Sequence, residues 1–291
     1  ADGAQGGAGV LLSSVEIGSF DPRADLAYGA FQRGYYLTAL DLALKRAQIG
    51  DPAAQTLIAE IHDKGLGIAR NQKEVAAWYG LAAERDYPEA QFAYAIKLLE
   101  GKHVERDAQR ARELMEKAAA SGHATAQFNL AQMIISQRPG DAGFREATPW
   151  YARAAASGVS DAMYAMAQIH ARGLGVAQDP VAARRWMEKA ARAGFDTAQV
   201  EYGIWLANGT GGERDERGAF GWITRAAHGG NVIAQNRLAK MLALGIGTEP
   251  DIIEAAKWHI LARRAGRSDP WLDEFMARMD AAARQKGLER A

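Results

Sequence analysis

Histidine serves best for proton transfer and metal binding near neutral pH, and it stands at His62, His103, His123, His170, His228 and His259. None has a second histidine or a carboxylate at a ligand-type spacing, so no metal site is expected. Cysteine is absent, which excludes disulfides, thiolate metal sites and a cysteine nucleophile together. Gly65-x-Gly67, Gly173-x-Gly175 and Gly245-x-Gly247 superficially suggest phosphate loops. They follow helical patterns rather than strands and lack the third glycine and downstream acid of a dinucleotide site. No G-x-S-x-G elbow and no P-loop occurs, and Ser13, Ser14 and Ser19 lie near the start of the chain. Acid pairs are plentiful, but on amphipathic helices such pairs form solvated faces. No catalytic residue and no cofactor is therefore assigned.

The elements that carry these residues repeat. Alanine stands at Ala54, Ala90, Ala126, Ala162, Ala198 and Ala234, a strict period of 36 residues. Tryptophan recurs in the same register at Trp78, Trp150, Trp186, Trp222 and Trp258, with Leu114 in the one missing place. A self-similar unit too small to bury its own apolar face is stable only against neighbours, which predicts a solenoid of six units forming one continuous body. His62 and His170 fill the same apolar slot three repeats apart, too far along the stack to share a ligand.

Each unit reads as two helices around a glycine turn. Asp51 and Pro52 open the first helix as cap and first-turn residues. Gly65-Leu66-Gly67-Ile68 stops it, because glycine tolerates the left-handed conformation of a helix end. Asn71 restarts the chain, and with Glu74 it has the form of a capping box, repeated by Asp251 with Glu254. Asp107, Asp179 and Asp215 hold the same cap position. The second helix carries Trp78 and Ala82 one turn apart, and the latter position is alanine in all six copies, to Ala262. A small residue in register implies close helix approach, with the tryptophan filling the wider gap beside it as core. Gly122, Gly158, Gly194, Gly230 and Gly266 close the units, with Asp86 in the first copy. Gln55, Gln91, Gln127, Gln199 and Gln235 follow the repeated alanine, and amides this regular are expected to bond backbone between units.

The ends differ from the middle. Residues 1–20 are expected to form a mobile Gly/Ala-rich leader, and residues 21–50 an N-terminal capping helical pair with Ala27, Tyr28, Phe31, Leu37, Leu40 and Leu44 in its apolar pattern. Residues 51–266 hold the six repeats. Residues 267–291 are expected to form one capping helix whose Trp271, Leu272, Phe275, Met276 and Met279 cover the last unit. In the third copy Gln137-Arg138-Pro139 replaces the glycine turn, and in the fifth Gly209-Thr210-Gly211-Gly212 is expected to widen it.

The unit A-x-A-Q-x-x-L-A, a G-x-G turn, an acidic cap and W-x-x-K-A-A-x-x-G resembles the Sel1-like repeat, a relative of the tetratricopeptide repeat. The best copy runs from Asp161 to Gly194, with Met163 in place of the usual glutamine, then Gly173-Leu174-Gly175-Val176, Asp179 and Trp186-Met187-Glu188-Lys189-Ala190-Ala191. The resemblance covers the chain from Asp51 to Gly266. It implies an all-α fold, a right-handed α/α superhelical solenoid of six helix pairs with capping helices at both ends. It also implies a protein-interaction scaffold of the bacterial envelope.

In related helix-pair repeats the first helix of each pair lines a concave groove. The positions so placed are Thr56, Phe92, Phe128, Tyr164, Val200 and Asn236, and one turn on Glu60, Ile96, Gln132, Gln168, Ile204 and Lys240. Phe92, Phe128 and Tyr164 beside Gln132 and Gln168, with Asn236 and Lys240 further along, would suit a partner peptide, rings giving apolar contact and amides bonding its backbone. The same rings would equally serve to pack one repeat on the next. His259 is expected at the surface or stacked, and Trp205, near the Gly209 to Gly212 turn, is the one exposed-aromatic candidate for a glycan, a ring that would equally serve as core.

Charge and hydropathy narrow the partner. The 291 residues carry 35 basic and 35 acidic side chains, so no global field draws the chain to nucleic acid. No apolar run approaches the roughly 20 residues that cross a bilayer, so membrane insertion is not expected. The small-residue start at Ala1 fits a mature chain released after a cleavage site, and fits equally a boundary chosen for expression. The expectation is a non-catalytic adaptor, periplasmic or secreted, otherwise cytoplasmic, that binds a protein or peptide. The alternative is a secreted protein that binds or modifies the cell wall.

Overall fold

The structure, a computed structural model, describes residues 25–291. The expected leader, residues 1–20, and the first four residues of the expected N-terminal pair lie outside the described residues, as do Ser13, Ser14 and Ser19. Sixteen helices and no strand occur among the described residues. The chain divides into two compact units, meeting in sequence at Arg85 and Asp86.

The first unit, residues 25–85 among those described, holds α1 (Leu26–Gln32), α2 (Tyr36–Gln48), α3 (Pro52–Lys64) and α4 (Gln72–Ala83). Its core joins alanines of α1 and α2 to Leu57, Ile58 and Ile61 of α3. Tyr28, Leu37 and Leu44 were expected inside, yet they are exposed, because Ala27, Ala30, Ala39, Ala43 and Ala47 carry the packed faces of α1 and α2. Short side chains let the two helix axes approach, and the longer residues point away.

The second unit, Asp86–Ala291, stacks α5 (Pro88–Glu100), α6 (Ala108–Ala120), α7 (Ala124–Gln137), α8 (Asp141–Ala156), α9 (Ser160–Arg172), α10 (Pro180–Arg192), α11 (Asp196–Asn208), α12 (Glu216–His228), α13 (Val232–Leu244) and α14 (Ile252–Arg264). Two shorter helices follow, α15 (Pro270–Arg278) and α16 (Ala281–Arg290). The expected single terminal helix is thus broken, with Met279 extended and the Asp280 side chain accepting from the Ala283 N–H to start α16. Leu272 is fully buried in the unit's core, while α16 packs on α14 with Gly287 against Ala256.

The repeated alanines behave as expected: Ala118, Ala154, Ala190, Ala226 and Ala262 are buried in the second unit and Ala82 in the first. The tryptophans do not. Trp78, Trp150, Trp186 and Trp222 are only half-buried, and Trp258 alone is buried. Arg153, Lys189 and Arg225 lie over the rings of Trp150, Trp186 and Trp222 at 4.7, 4.2 and 5.0 Å. A cation three residues on sits over a ring at the helix surface, as cation–π attraction favours. The centre of the core is the next position: Met115, Tyr151, Met187, Ile223 and His259 are all buried. His259 therefore is no surface residue. It occupies this inner slot, with its Nε2 2.9 Å from an Asp273 carboxylate oxygen on α15.

The caps form with a correction. Asn71 and Asp251 accept the N–H groups two and three residues on, as do the aspartates of other copies at the third. The capping box, however, is one-sided. The Asn71 and Asp251 N–H groups donate to the His62 and Leu242 carbonyls of the preceding helix, at 3.3 and 3.0 Å. The cap N–H already has an acceptor, so Glu74 and Glu254 are not needed for it.

The glycine turns are uniform. Gly209 and Gly211 have φ of 72° and 69°, matching Gly173 and Gly175 at 69° and 68°. Gly209 caps α11 and Asp215 caps α12 at the same separation as Gly173 and Asp179, so the fifth turn is not widened. Gly212 merely takes one place in it. The third turn is the real departure: α8 starts at Asp141, runs through the usual cap position at Gly143, and contains Pro149. The expected amide contacts form between repeats. Gln127 Nε2 donates to the Ala119 carbonyl at 3.0 Å, and Gln55, Gln199 and Gln235 reach the equivalent carbonyls at 3.4 Å. Gln91 instead donates to Asp86, whose φ of 54° fills the glycine place.

Candidate functional site

In the second unit the first helices of successive repeats, α5, α7, α9, α11 and α13, carry the expected row. Its aromatic members are engaged mainly with the following repeat or their own. Phe92 stacks on His123, the cap of α7, with ring centres 4.8 Å apart. Phe128 meets Tyr151 of α8 at 5.6 Å, and Tyr164 meets Phe195, the cap of α11, at 5.0 Å. Each ring thus contributes to packing, and no ring contact joins Phe92, Phe128 and Tyr164 among the described residues. Burial lowers the His123 pKa, against an opposing pull from Glu89. The neutral ring can then accept the Ala126 N–H at 3.0 Å.

The polar members gather in two places. Tyr164 Oη donates to Glu201 at 2.8 Å, and Gln168 Nε2 donates to its other carboxylate oxygen at 3.0 Å. Burial, reinforced by that carboxylate, pushes the Tyr164 pKa up to about 12. Asn236 and Lys240 converge on Asp269, the cap of α15, at 3.1 and 2.6 Å. Burial of Asp269 opposes its ionisation, but these donors and the Leu272 N–H outweigh it and hold the carboxyl below the usual range. Asn236 is buried, and its amide donates to this carboxylate rather than standing on an open face. Val200 is buried too. Gln132 is exposed and has no side-chain partner among the described residues.

Between α11 and α13 lies a cavity of about 280 Å³, near the lower edge of the roughly 300–1,000 Å³ of small-molecule sites. Ile204 and Lys240 of the expected row line it, joined by Ile223, Met241 and Ile246. Arg214 and Arg237 bring further positive charge. Arg214 is paired with Glu216, and Lys240 with Asp269. The exposed Arg237 has no side-chain partner among the described residues. Gly203 also lines the cavity, at a place that is alanine in every other copy. A Cβ there would meet the Ile223 side chain at 2.9 Å.

Sequence reasoning missed Glu201 and Arg237. Both stand one residue after the expected row, at a place filled by Leu57, Ala93, Asn129 and Ala165 in the other copies. Charge appearing only in the last two copies was the available signal. Among the described residues no group of three histidine, aspartate or glutamate side chains could hold a metal ion, and no helix is long and apolar enough to cross a membrane. Trp205, offered for a glycan, is half-buried against the unit's core.

A family model for the Sel1 repeat matches six consecutive segments, residues 52–87, 88–123, 124–159, 160–195, 197–231 and 232–266. The chain belongs to the Sel1 repeat family. Sel1 repeat proteins generally mediate protein–protein interactions, and their scaffold is generally non-catalytic. The chain is similar to the solved structure of c5321, a protective antigen of uropathogenic Escherichia coli with an SLR fold, at 26% identity and a TM-score of 0.76. That match covers 86% of this chain but only 55% of the antigen. A Sel1 repeat protein from Oxalobacter formigenes is also similar, at 26% identity and a TM-score of 0.68, over 84% of this chain and 96% of that one. No curated protein matches the chain.

Proposed function

We propose that this Sel1 repeat protein is a non-catalytic adaptor of the bacterial envelope, regulatory or assembling in role, that holds a partner protein or peptide along the face lined by its first helices. The observation that carries this is the cavity between α11 and α13, where an apolar floor and a cationic rim open on the same row as the half-buried Ile96 and the exposed Gln132. An open apolar pocket ringed by polar groups is what a partner's anchoring side chain requires. Residence in the periplasm or outside the cell belongs to the same proposal, with the cytoplasm as the alternative. The competing cell-wall reading leaned on Trp205, and that ring packs inward.

In-cell crosslinking followed by mass spectrometry tests the proposal, comparing the native chain with Gln132→Arg and Ile96→Arg variants shown by circular dichroism to be folded. A specific protein captured by the native chain and lost from both variants is expected. Capture unchanged in both, or recovery of wall fragments in place of protein, would sink it.

A further inference from the structure

The repeat register explains why Arg237 stands free. Glu201 reaches back one repeat to Tyr164 and Gln168. Arg237, at the same place one repeat later, has Val200 and Ile204 at the corresponding positions, and neither offers an acceptor. Its guanidinium is thus left beside an apolar wall, with five donors and no carboxylate partner among the described residues. Gly203 lies in this wall, where the methyl that every other copy supplies would fall 2.9 Å from the Ile223 side chain, so its absence lets Ile223 sit close against α11. Pocket and unpaired cation therefore stand together where Gly203 and Arg237 both depart from the repeat pattern. Arg214 and Lys240 already hold carboxylates at the rim, so among the described residues the unpaired positive charge lining the cavity is Arg237.

We infer that this cavity receives a partner segment presenting an aliphatic side chain with a carboxylate next to it, the aliphatic group on Ile204, Ile223 and Met241 and the carboxylate on Arg237. This rests on the adaptor reading and names the chemistry of the partner at that face. The cavity has room for a leucine- or methionine-sized group. A carboxylate accepts two guanidinium N–H groups side by side, which neither an amide nor an amine can match.

The test is titration of the full chain, methyl-labelled at isoleucine and methionine, with the acetylated dipeptide amide of glutamate followed by leucine. Saturable shifts at Ile204, Ile223, Met241 and Ile246 are expected, with affinity about tenfold above that of the glutamine and lysine counterparts, the ratio of one charge-assisted hydrogen bond. Arg237→Glu should reverse the order in favour of the lysine dipeptide, and Ile204→Gln should weaken all three without changing their order. Equal affinity for the glutamate and glutamine dipeptides, shifts at other methyls only, absence of saturation, or an order unchanged in Arg237→Glu would overturn the inference. Partner capture lost with Gln132→Arg but intact with Arg237→Glu would leave the adaptor reading standing and refute this pocket's role. Capture intact with Gln132→Arg, Ile96→Arg and Arg237→Glu alike would refute the adaptor reading itself.

Discussion

At the scale of single residues, repetition of a type and depth of burial turn out to be different things. Trp186 repeats and is half-buried; Met187 beside it varies among copies and is fully buried. Met187→Ala is therefore expected to destabilise by about 2–5 kcal/mol, and Trp186→Ala by roughly half of the 3–5 kcal/mol of a fully buried ring. Denaturant melts of the two variants check this, and a larger loss at Trp186 would contradict the packing. Met163 takes the place of the repeated glutamine, so Gln127→Met should cost less than about 1.5 kcal/mol, the net worth of one hydrogen bond. A second effect is pH-linked. Burial first, then Asp63 and Glu60, push the Tyr79 pKa up to about 12, from a usual value near 10. Between those values the folded chain holds a proton that the unfolded chain has lost, so stability is complete below pH about 10 and falls as pH rises towards 12. Tyr79→Phe should flatten that decline in chemical denaturation at graded alkaline pH; an unchanged slope would assign it elsewhere.

At the scale of elements, the turns and caps were largely legible, because glycine and aspartate act through their own backbone and side chain. What was not legible is what a turn touches. The second glycine of each Gly-x-Gly lies against the opening turn of the previous repeat's second helix, Gly211 on the Pro180 carbonyl and Gly247 on that of Glu216. Gly194 has a similar φ, of 87°, but open space around it. Gly211→Ala should accordingly lower the denaturation midpoint well beyond Gly194→Ala, whose penalty is the backbone conformation alone, about 1–2 kcal/mol. Equal midpoints would show that the turn yields. In α8, Pro149 removes a helical N–H within the sixteen-residue helix. Pro149→Ala is expected to raise stability by up to about 3 kcal/mol, read from the same melts.

At the scale of the whole molecule, stability of a repeat array is a sum over units and the contacts between neighbours. Ending the chain after Gly266 removes Leu272 from the core of the second unit, and with it the helix whose Asp273 meets His259. Such a truncation should unfold at lower denaturant and expose apolar surface to a hydrophobic dye; unchanged behaviour would mean that α15 and α16 are dispensable. The sequence by itself determined the six helix pairs, their turns and the alanine seams, because a strict period forces each copy into the same local structure and the same neighbour contact. It also determined the amide contacts between repeats, since Gln127 and its counterparts recur in register. Only the tertiary structure decided which row members remain open. Whether Asn236 faces outward depends on Asp269, 33 residues on, and whether Arg237 is free depends on what the previous repeat places opposite it. Such facts belong to pairs of side chains from different copies, at places where the copies differ, and the period says nothing about them.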